Sequence, residues 1–572
     1  MRWQIPTEVN AALTAALARE LGLPPIAAEL LVRRGFDTPA AAQAFLQSTL
    51  ADLPDPFLMK GMDRAAERLS QAVLRGERIV LFGDYDVDGV TSTALMTGVL
   101  RELGAQSEFY IPNRLEEGYG LNVAAVGRLA EKGKAVLIAL DCGVTAVAEV
   151  EHAVRCGLEV LVVDHHTTPA VLPPALAILN PHQPGCGYPS KSLCAAGVAF
   201  NLLLATRKRL RELGHFATRP EPNLRTWLDL VALATVADVV PLTGANRILV
   251  KHGLVELSRA DRPGIRALKV AADLAPEAVV TAGQVGFRLG PRINAAGRLG
   301  AAAQAVELLT TADAVTAQRI AVELDAQNRE RQGIERKMVV EALELGQAQA
   351  ETDVRALVLA KEGWHAGVVG IVAARVVEKL HRPTVVIALN NGTGKGSARS
   401  IEGFHLYDAI HASSEHLERF GGHRHAAGVT VRAERVEDFR RALQAHAAEK
   451  LGPDDLVRRL RLDAPLTLEQ VDLPLVEALE RLGPFGAGNP EPVFYAPARA
   501  RDVRVLQSKR DGDNHLKLRL ESASGPLGAI GFGMGALEQV ARGPMLAAFQ
   551  LGIDDYGGAR RPQLRLKHLK PA

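Results

Sequence analysis

Between about residues 60 and 240, short β-branched and aliphatic runs alternate with longer amphipathic stretches. The runs at 78–83, 107–112, 135–140, 159–163 and 175–179 predict strands, and 91–103, 122–132 and 146–156 predict helices between them. Continuous apolar strands separated by helices predict a mostly parallel sheet covered on both faces. Ligands of such sheets bind beyond the carboxyl ends of the strands. Here those ends carry Gly83-Asp84, Asp141 and Asp164-His165-His166. A helical pattern follows at 301–349, with Ile320, Leu324, Ile334, Met338 and Leu345 at helical spacing. It predicts a long connecting helix or helix pair, with Gly333 as a possible break. A second α/β block predicts a strand at 355–360, a helix at 366–380 and a strand at 384–389. Beyond a Gly/Pro-rich loop at 482–490, short alternating segments at 503–507, 515–520, 546–553 and 563–566 predict a small β-barrel.

At 572 residues the chain calls for three or four domains. No apolar run approaches a membrane span, and the first residues lead into no signal peptide, so a soluble cytoplasmic protein with no membrane partner is expected. Four cysteines without paired Cys-x-x-Cys spacing argue against a disulfide scaffold or a zinc ribbon. The net charge of +2 and an aromatic content of 4% advertise no polyanion partner globally. Local charge changes that: from Arg499 to the end there are thirteen Lys or Arg against seven Asp or Glu. A basic barrel suits a single nucleic-acid strand. The run Arg207-Lys208-Arg209-Leu210-Arg211 reads as an exposed helix face.

The acidic strand ends carry the chemistry. In Asp84-Tyr85-Asp86-Val87-Asp88-Gly89, three carboxylates within five positions repel one another unless cations lie between them, and hard oxygen ligands suit Mg²⁺ or Mn²⁺. An isolated Asp-x-Asp would read as a helix cap. A calcium loop is disfavoured because Leu95 stands where its closing Glu belongs. Asp141 before Cys142-Gly143, the His165/His166 pair and Asp238 in an otherwise apolar stretch add further donors. A two-metal site explains them together better than independent caps do. In Gly394-Lys395-Gly396-Ser397-Ala398-Arg399, period-two alternation puts Ser397 and Arg399 on one face, where an Arg fork fits a phosphate.

The order Asp-x-Asp-x-Asp-Gly, Asp-x-Gly, Asp-His-His and a later Asp in Ala-Thr-Val-Ala-Asp-Val-Val resembles the DHH phosphoesterase superfamily. The segments from Arg288 to Arg298, Gly363 to Ala373, Gly421 to Gly428 and Leu482 to Pro492 point within it to bacterial single-strand-specific 5′-to-3′ exonucleases. An N-terminal helical segment (1–60) is expected but carries no motif. The resemblance runs from about residue 60 to the C-terminus and implies a parallel-sheet DHH catalytic domain (61–312) and a connecting helix (313–350). A second, DHH-associated α/β domain (351–450), then a linker and an OB-type β-barrel (451–572) complete the implied fold. It implies Asp84, Asp86, Asp88, Asp141, His165 and Asp238 as ligands of two Mn²⁺ or Mg²⁺ ions, without saying which of the first three bind directly. His166 and Asp164 are implied as catalytic, with His166 on the phosphate. In smaller relatives a His precedes the first motif; here Phe82 and Gly83 stand there.

The resemblance further implies that Arg114, Ser397, Arg399 and His423 hold a terminal 5′-phosphate. Arg288, Arg292 and Arg298, taken as loop arginines, would bind DNA together with His365 and Lys395. The implied activity is metal-dependent release of 5′-mononucleotides from single-stranded DNA in repair and recombination. A single-strand-binding protein and a helicase are the implied partners. Some relatives carry a further C-terminal domain, whereas this chain stops soon after the barrel, so contacts on such a domain are not expected. Two rivals stand beside this reading: a small-oligonucleotide or cyclic-dinucleotide phosphodiesterase, which needs no basic barrel, and a non-catalytic single-strand-binding replication scaffold, which needs no intact metal set.

Overall fold

The computed structural model describes residues 1–114, 116–299, 302–351, 354–507, 514–554 and 560–572. Strands Ser107–Tyr110, Ile79–Gly83, Val136–Leu140, Glu159–Val163 and Ala177–Leu179 lie side by side in that order, every neighbouring pair parallel. Alternation along each strand feeds two cores. Ile79, Leu81, Val136 and Ile138 face one with Leu69, Val90 and Val99, while Val80, Phe82, Leu137 and Ala139 face another with Val126, Leu129 and Val150. That is why these runs are apolar throughout. The chain leaves Ile79–Gly83 for one edge and returns to its other side at Val136–Leu140. The sheet therefore has its topological switch point between these two strands, and the loops after them carry Asp84–Asp88 and Asp141.

The helical pattern resolves into Ala302–Thr310 and a 37-residue helix, Ala314–Ala350; the expected first residue, Ala301, lies outside the described residues. The break falls at Thr311–Asp313, where Asp313 caps the long helix by accepting from Thr316 N at 2.8 Å. Gly333 makes no break, because a propensity cost of about 1 kcal/mol is small across so long a packed helix. The second α/β domain has a mixed five-stranded sheet in the order Arg419–Gly422, Ala426–Arg432, Thr393–Arg399, Thr384–Asn390, Leu357–Glu362, with helix Val369–Leu380 packed on it. The C-terminal region forms a seven-stranded sheet whose longest strands are Met545–Asp554 and Arg561–Pro571.

The N-terminal segment is part of that C-terminal unit. Strand Arg2–Gln4 pairs in parallel with Arg459–Arg461. Leu17, Leu31 and Leu46 share one core with Leu475, Leu479, Leu482 and Phe494. Arg247, on helix Gly244–Arg259 of the parallel-sheet domain, joins the N-terminal segment and the Gly/Pro-rich loop to that domain. It donates to Phe45 O, to Ser48 Oγ at 3.1 Å and to Gly483 O at 2.7 Å, and stacks over the Phe45 ring at 3.8 Å. Leu242 N also donates to Ala487 O at 2.7 Å, so the Gly/Pro-rich loop clamps the C-terminal unit to the parallel-sheet domain. Removing Arg247 leaves the half-buried carbonyls of Phe45 and Gly483 without their donor. Arg247→Ala is expected to cost about 3 kcal/mol, read as a lowered Tm for the transition that melts the barrel.

Candidate metal centre and phosphate site

Each aspartate of the first motif has a different local duty. Asp86 caps helix Val87–Glu102, its Oδ1 accepting from Asp88 N at 2.9 Å and Gly89 N at 3.2 Å. The capping and ligand readings of Asp86 are thus compatible. Asp88 is buried, and its two oxygens accept from Ala195 N at 2.6 Å and Ala196 N at 2.8 Å. These amides open helix Ala195–Glu212, whose N-terminus favours the carboxylate. Asp84 and Asp141 are buried with one oxygen each, Oδ1, that accepts no hydrogen bond. Asp141 also sits at φ 63, a left-handed conformation rare outside glycine that Asp tolerates better than most. Asp238 caps the C-terminal end of helix Leu228–Ala237.

These groups converge. His165 Nε2 lies 3.2 Å from Asp141 Oδ1, 3.6 Å from Asp238 Oδ2 and 3.7 Å from Asp88 Oδ2. Asp84, Asp86 and Asp141 form one cluster of donor atoms, and Asp88, His165 and Asp238 another. Burial pushes Asp84 and Asp141 well above the ordinary carboxylate range, and the neighbouring aspartates push further. Asp238 rises to about 9 by burial and then by Asp88 and Asp86. Burial holds His165 below its usual value, keeping the neutral, ligating form. Orphaned carboxylate oxygens, mutual repulsion and a neutral imidazole fit hard divalent cations.

Asp164 stands behind this cluster, not in it. Its Oδ1 accepts from His165 N at 2.7 Å and bonds His166 Nδ1 at 2.7 Å, while Oδ2 accepts from Val144 N at 3.0 Å. It is a positioning residue for His166. Burial opposes charge on His166, but the bond to Asp164 outweighs it and lifts the ring to about 9. Asp164→Asn is therefore expected to lower the His166 pKa and move the alkaline fall of activity to lower pH, read from a pH–rate profile. Tyr119 escaped sequence reading; its hydroxyl donates to Asp141 O at 3.0 Å and lies 3.4 Å from His166 Nδ1.

An anion site adjoins the carboxylates. Arg399 Nη1 lies 3.0 Å from Ser397 Oγ, on the shared strand face that the alternation predicts. Gly370 lets the helix Val369–Leu380 come close: a Cβ there would lie 3.0 Å from Ser397 Oγ and 3.1 Å from Arg399 Nη2. A helix N-terminus, a hydroxyl and a guanidinium thus meet. Arg114 stacks over Tyr85, its Cζ 4.9 Å from the ring centre. Burial lowers Arg399 and brings Arg298 to about 10, with Arg114 repelling both. His423 is also held low, by burial and then by His425 and Arg399. Guanidiniums packed against one another await a polyanion.

The arginine segment is not a loop. Residues Val285–Leu289 form a π-helical turn that runs into helix Gly290–Leu299. Of its three arginines, only Arg298 reaches the anion site, anchored by Gly367 O at 2.6 Å. Arg292 pairs with Asp325 at 2.9 Å, and Arg288 donates to Asp273 O at 3.2 Å. The ring of His365 turns back on its own loop, accepting from Gly367 N at 3.1 Å. Lys395 is exposed on the strand face shared with Ser397. Asn294, another residue without a sequence signal, accepts from Val87 N at 3.1 Å and ties this helix to the metal loop. In the basic run, Arg207 and Arg211 pair with Glu221, and Arg209 with Asp63.

A parallel sheet whose switch point presents clustered aspartates, with a His pair at the next strand end and Ser397 and Arg399 on a second α/β domain, defines a metal-dependent phosphoesterase of the DHH class. Residues 78–235 match the DHH family N-terminal domain, 353–449 the DHHA1 domain and 462–568 the RecJ OB domain. The single-stranded-DNA-specific exonuclease RecJ of Dickeya dadantii is 40% identical, over 99% of this chain and 100% of its own length. That of Bacillus subtilis is 39% identical, over 99% of this chain and 70% of its own. The crystal structure of Thermus thermophilus RecJ in complex with Mn²⁺ superposes with a TM-score of 0.84 at 33% identity, covering 100% of this chain and 80% of that one. A Mg²⁺ complex of RecJ from the same organism gives a TM-score of 0.77. The chain belongs to the RecJ family of exonucleases.

Proposed function

We propose that this chain is a single-stranded-DNA-specific exonuclease that works from the 5′ end and releases 5′-mononucleotides. The observation that carries this reading is the placement of a five-carboxylate centre, three of whose members are buried, near Ser397, Arg399, Arg298 and Arg114. One ion would be held by Asp84, Asp86 and Asp141 and a second by Asp88, His165 and Asp238. Bound Mn²⁺ or Mg²⁺ supplies Lewis-acid activation of water and of the phosphodiester.

The protein's own groups do the rest. Asp164 fixes His166 through Nδ1, leaving Nε2, with the ring charged at neutral pH, to bond a non-bridging oxygen or the leaving oxygen of the scissile phosphate. Ser397, Arg399 and the amides opening helix Val369–Leu380 would seat the terminal phosphate, so that the first phosphodiester falls on the metal ligands. Arg114 closes the same pocket from the catalytic domain, and His423 lines its rim.

Both rivals lose ground: the six implied ligands gather in two donor clusters, and the full-length relatives align through the barrel as well. No helix among the described residues is long and apolar enough to cross a membrane. A cytoplasmic setting, with a helicase and a single-strand-binding protein supplying the strand, completes the proposal. A single strand carrying different labels at its two ends tests it. The 5′ label should appear first as mononucleotide with Mn²⁺ or Mg²⁺ and not with chelator. Earlier loss of the 3′ label would overturn the direction, and absence of hydrolysis would overturn the enzyme.

A further inference from the structure

We propose that Phe287 is a stacking platform for bases downstream of the scissile bond, an inference that rests on the exonuclease reading above. Phe287 is 84% exposed, the highest value for a large hydrophobic among the described residues. It sits in the π-helical turn Val285–Leu289, a feature that tends to mark functional sites. Counting back from Arg298 at helical spacing gives Asn294, Pro291 and Phe287, one stripe along one face.

The two ends of that stripe are placed by contacts. Arg298 adjoins Arg114 and Arg399 in the phosphate cradle, and Asn294 bonds the metal loop at Val87 N. To one side, Gly290 and Gly286 abut the helix that ends at Asp238. Added Cβ atoms there would lie 3.2 Å from Ala237 and 3.9 Å from Val236, respectively. Val239, next after the ligand Asp238, is itself 70% exposed at φ 60. The stripe therefore starts at the 5′-phosphate cradle, passes the metal ligands and ends at Phe287.

Eleven residues separate Arg298 from Phe287, about 16 Å of helix. A strand with its 5′ end in the cradle reaches that far with its third to fifth nucleotide, depending on how far it stretches beyond the stacked rise of about 3.4 Å. Residues 279–283, just upstream, line a groove of ≈ 1130 Å³ shared with Arg560, Arg565 and Leu551 of the barrel region. On this proposal the strand runs from the cradle toward that groove past Phe287. An exposed ring there stacks any base through its π-face, which gives grip without sequence preference.

The test compares 5′-phosphorylated strands of two and eight nucleotides, in Mn²⁺, with wild type, Phe287→Ala and Phe287→Trp. Phe287→Ala should reduce the kcat/KM advantage of the longer strand about tenfold, mainly through KM, and Phe287→Trp should restore it. An abasic residue walked through positions three to five should cost wild type a similar factor at one position and cost Phe287→Ala nothing further there. An unchanged length advantage, or a full additional abasic penalty in the variant, would overturn the proposal. Wild-type inactivity on both strands would instead overturn the exonuclease reading and this inference with it.

Discussion

Asp141→Asn should abolish strand hydrolysis, by on the order of a thousandfold or more, while making the metal-free protein more stable. Both effects have one cause. Asp141 is 2% exposed, its Oδ1 accepts no hydrogen bond, and Asp88, Asp86, Asp84 and Asp238 all disfavour its charge after burial has done so. In the absence of cations this is an unfavourable arrangement held by the surrounding fold. Asn keeps the volume and tolerates the φ of 63, and it carries no charge to repel. The metal-free Tm should therefore rise. With Mn²⁺ the order reverses: a cation at a hundred times its Kd stabilises a protein by about 2.7 kcal/mol, and the variant should lose most of that gain. Thermal unfolding with and without Mn²⁺, beside a 5′-label release assay, reads all three effects. A metal-free Tm below wild type would mean that Asp141 serves the fold and not the cation.

The aspartates and histidine that gather in the two donor clusters were legible as a group in the sequence because each stands at the end of a strand or helix that its own neighbours specify. Apolar runs fixed the strands, and the residues just after them had to lie at one edge of the sheet. What lay further off was not legible. Gly290, Pro291 and Gly297 look like loop punctuation, yet they sit in a helix. Gly297 is there for close approach, since a Cβ would lie 2.2 Å from Tyr85 O, and Pro291 follows directly on the π-helical turn Val285–Leu289, where the regular i→i−4 ladder is already interrupted. Whether Arg292 or Arg298 faces DNA depends on Asp325, 33 positions away from Arg292, and on Gly367. The union of the first 50 residues with the barrel rests on contacts more than 400 positions apart, such as Arg2 with Asp454. No local pattern reports such distances. Asp164 was visible as a site residue, but its place behind His166 needed the geometry.

Arg399→Ala should collapse discrimination between 5′-phosphorylated and 5′-hydroxyl strands. Arg399 is largely buried and shares its pocket with Ser397, Gly370 and the repelling Arg114. A guanidinium so placed gains most when a phosphate enters, because the anion relieves the desolvation and the repulsion together. Removing a buried, hydrogen-bonded charge from such a contact costs about 2–5 kcal/mol. The kcat/KM for the phosphorylated strand should therefore fall by roughly 30-fold or more, with a far smaller loss for the hydroxyl-ended strand. Arg399→Lys should recover little, since a point charge reproduces neither the fork nor its bond to Ser397. The split between the two substrates separates a phosphate contact from a general fold defect, which would lower both alike. A variant that kept wild-type preference would remove Arg399 from the cradle and leave Arg114 and Arg298 to set the 5′ end.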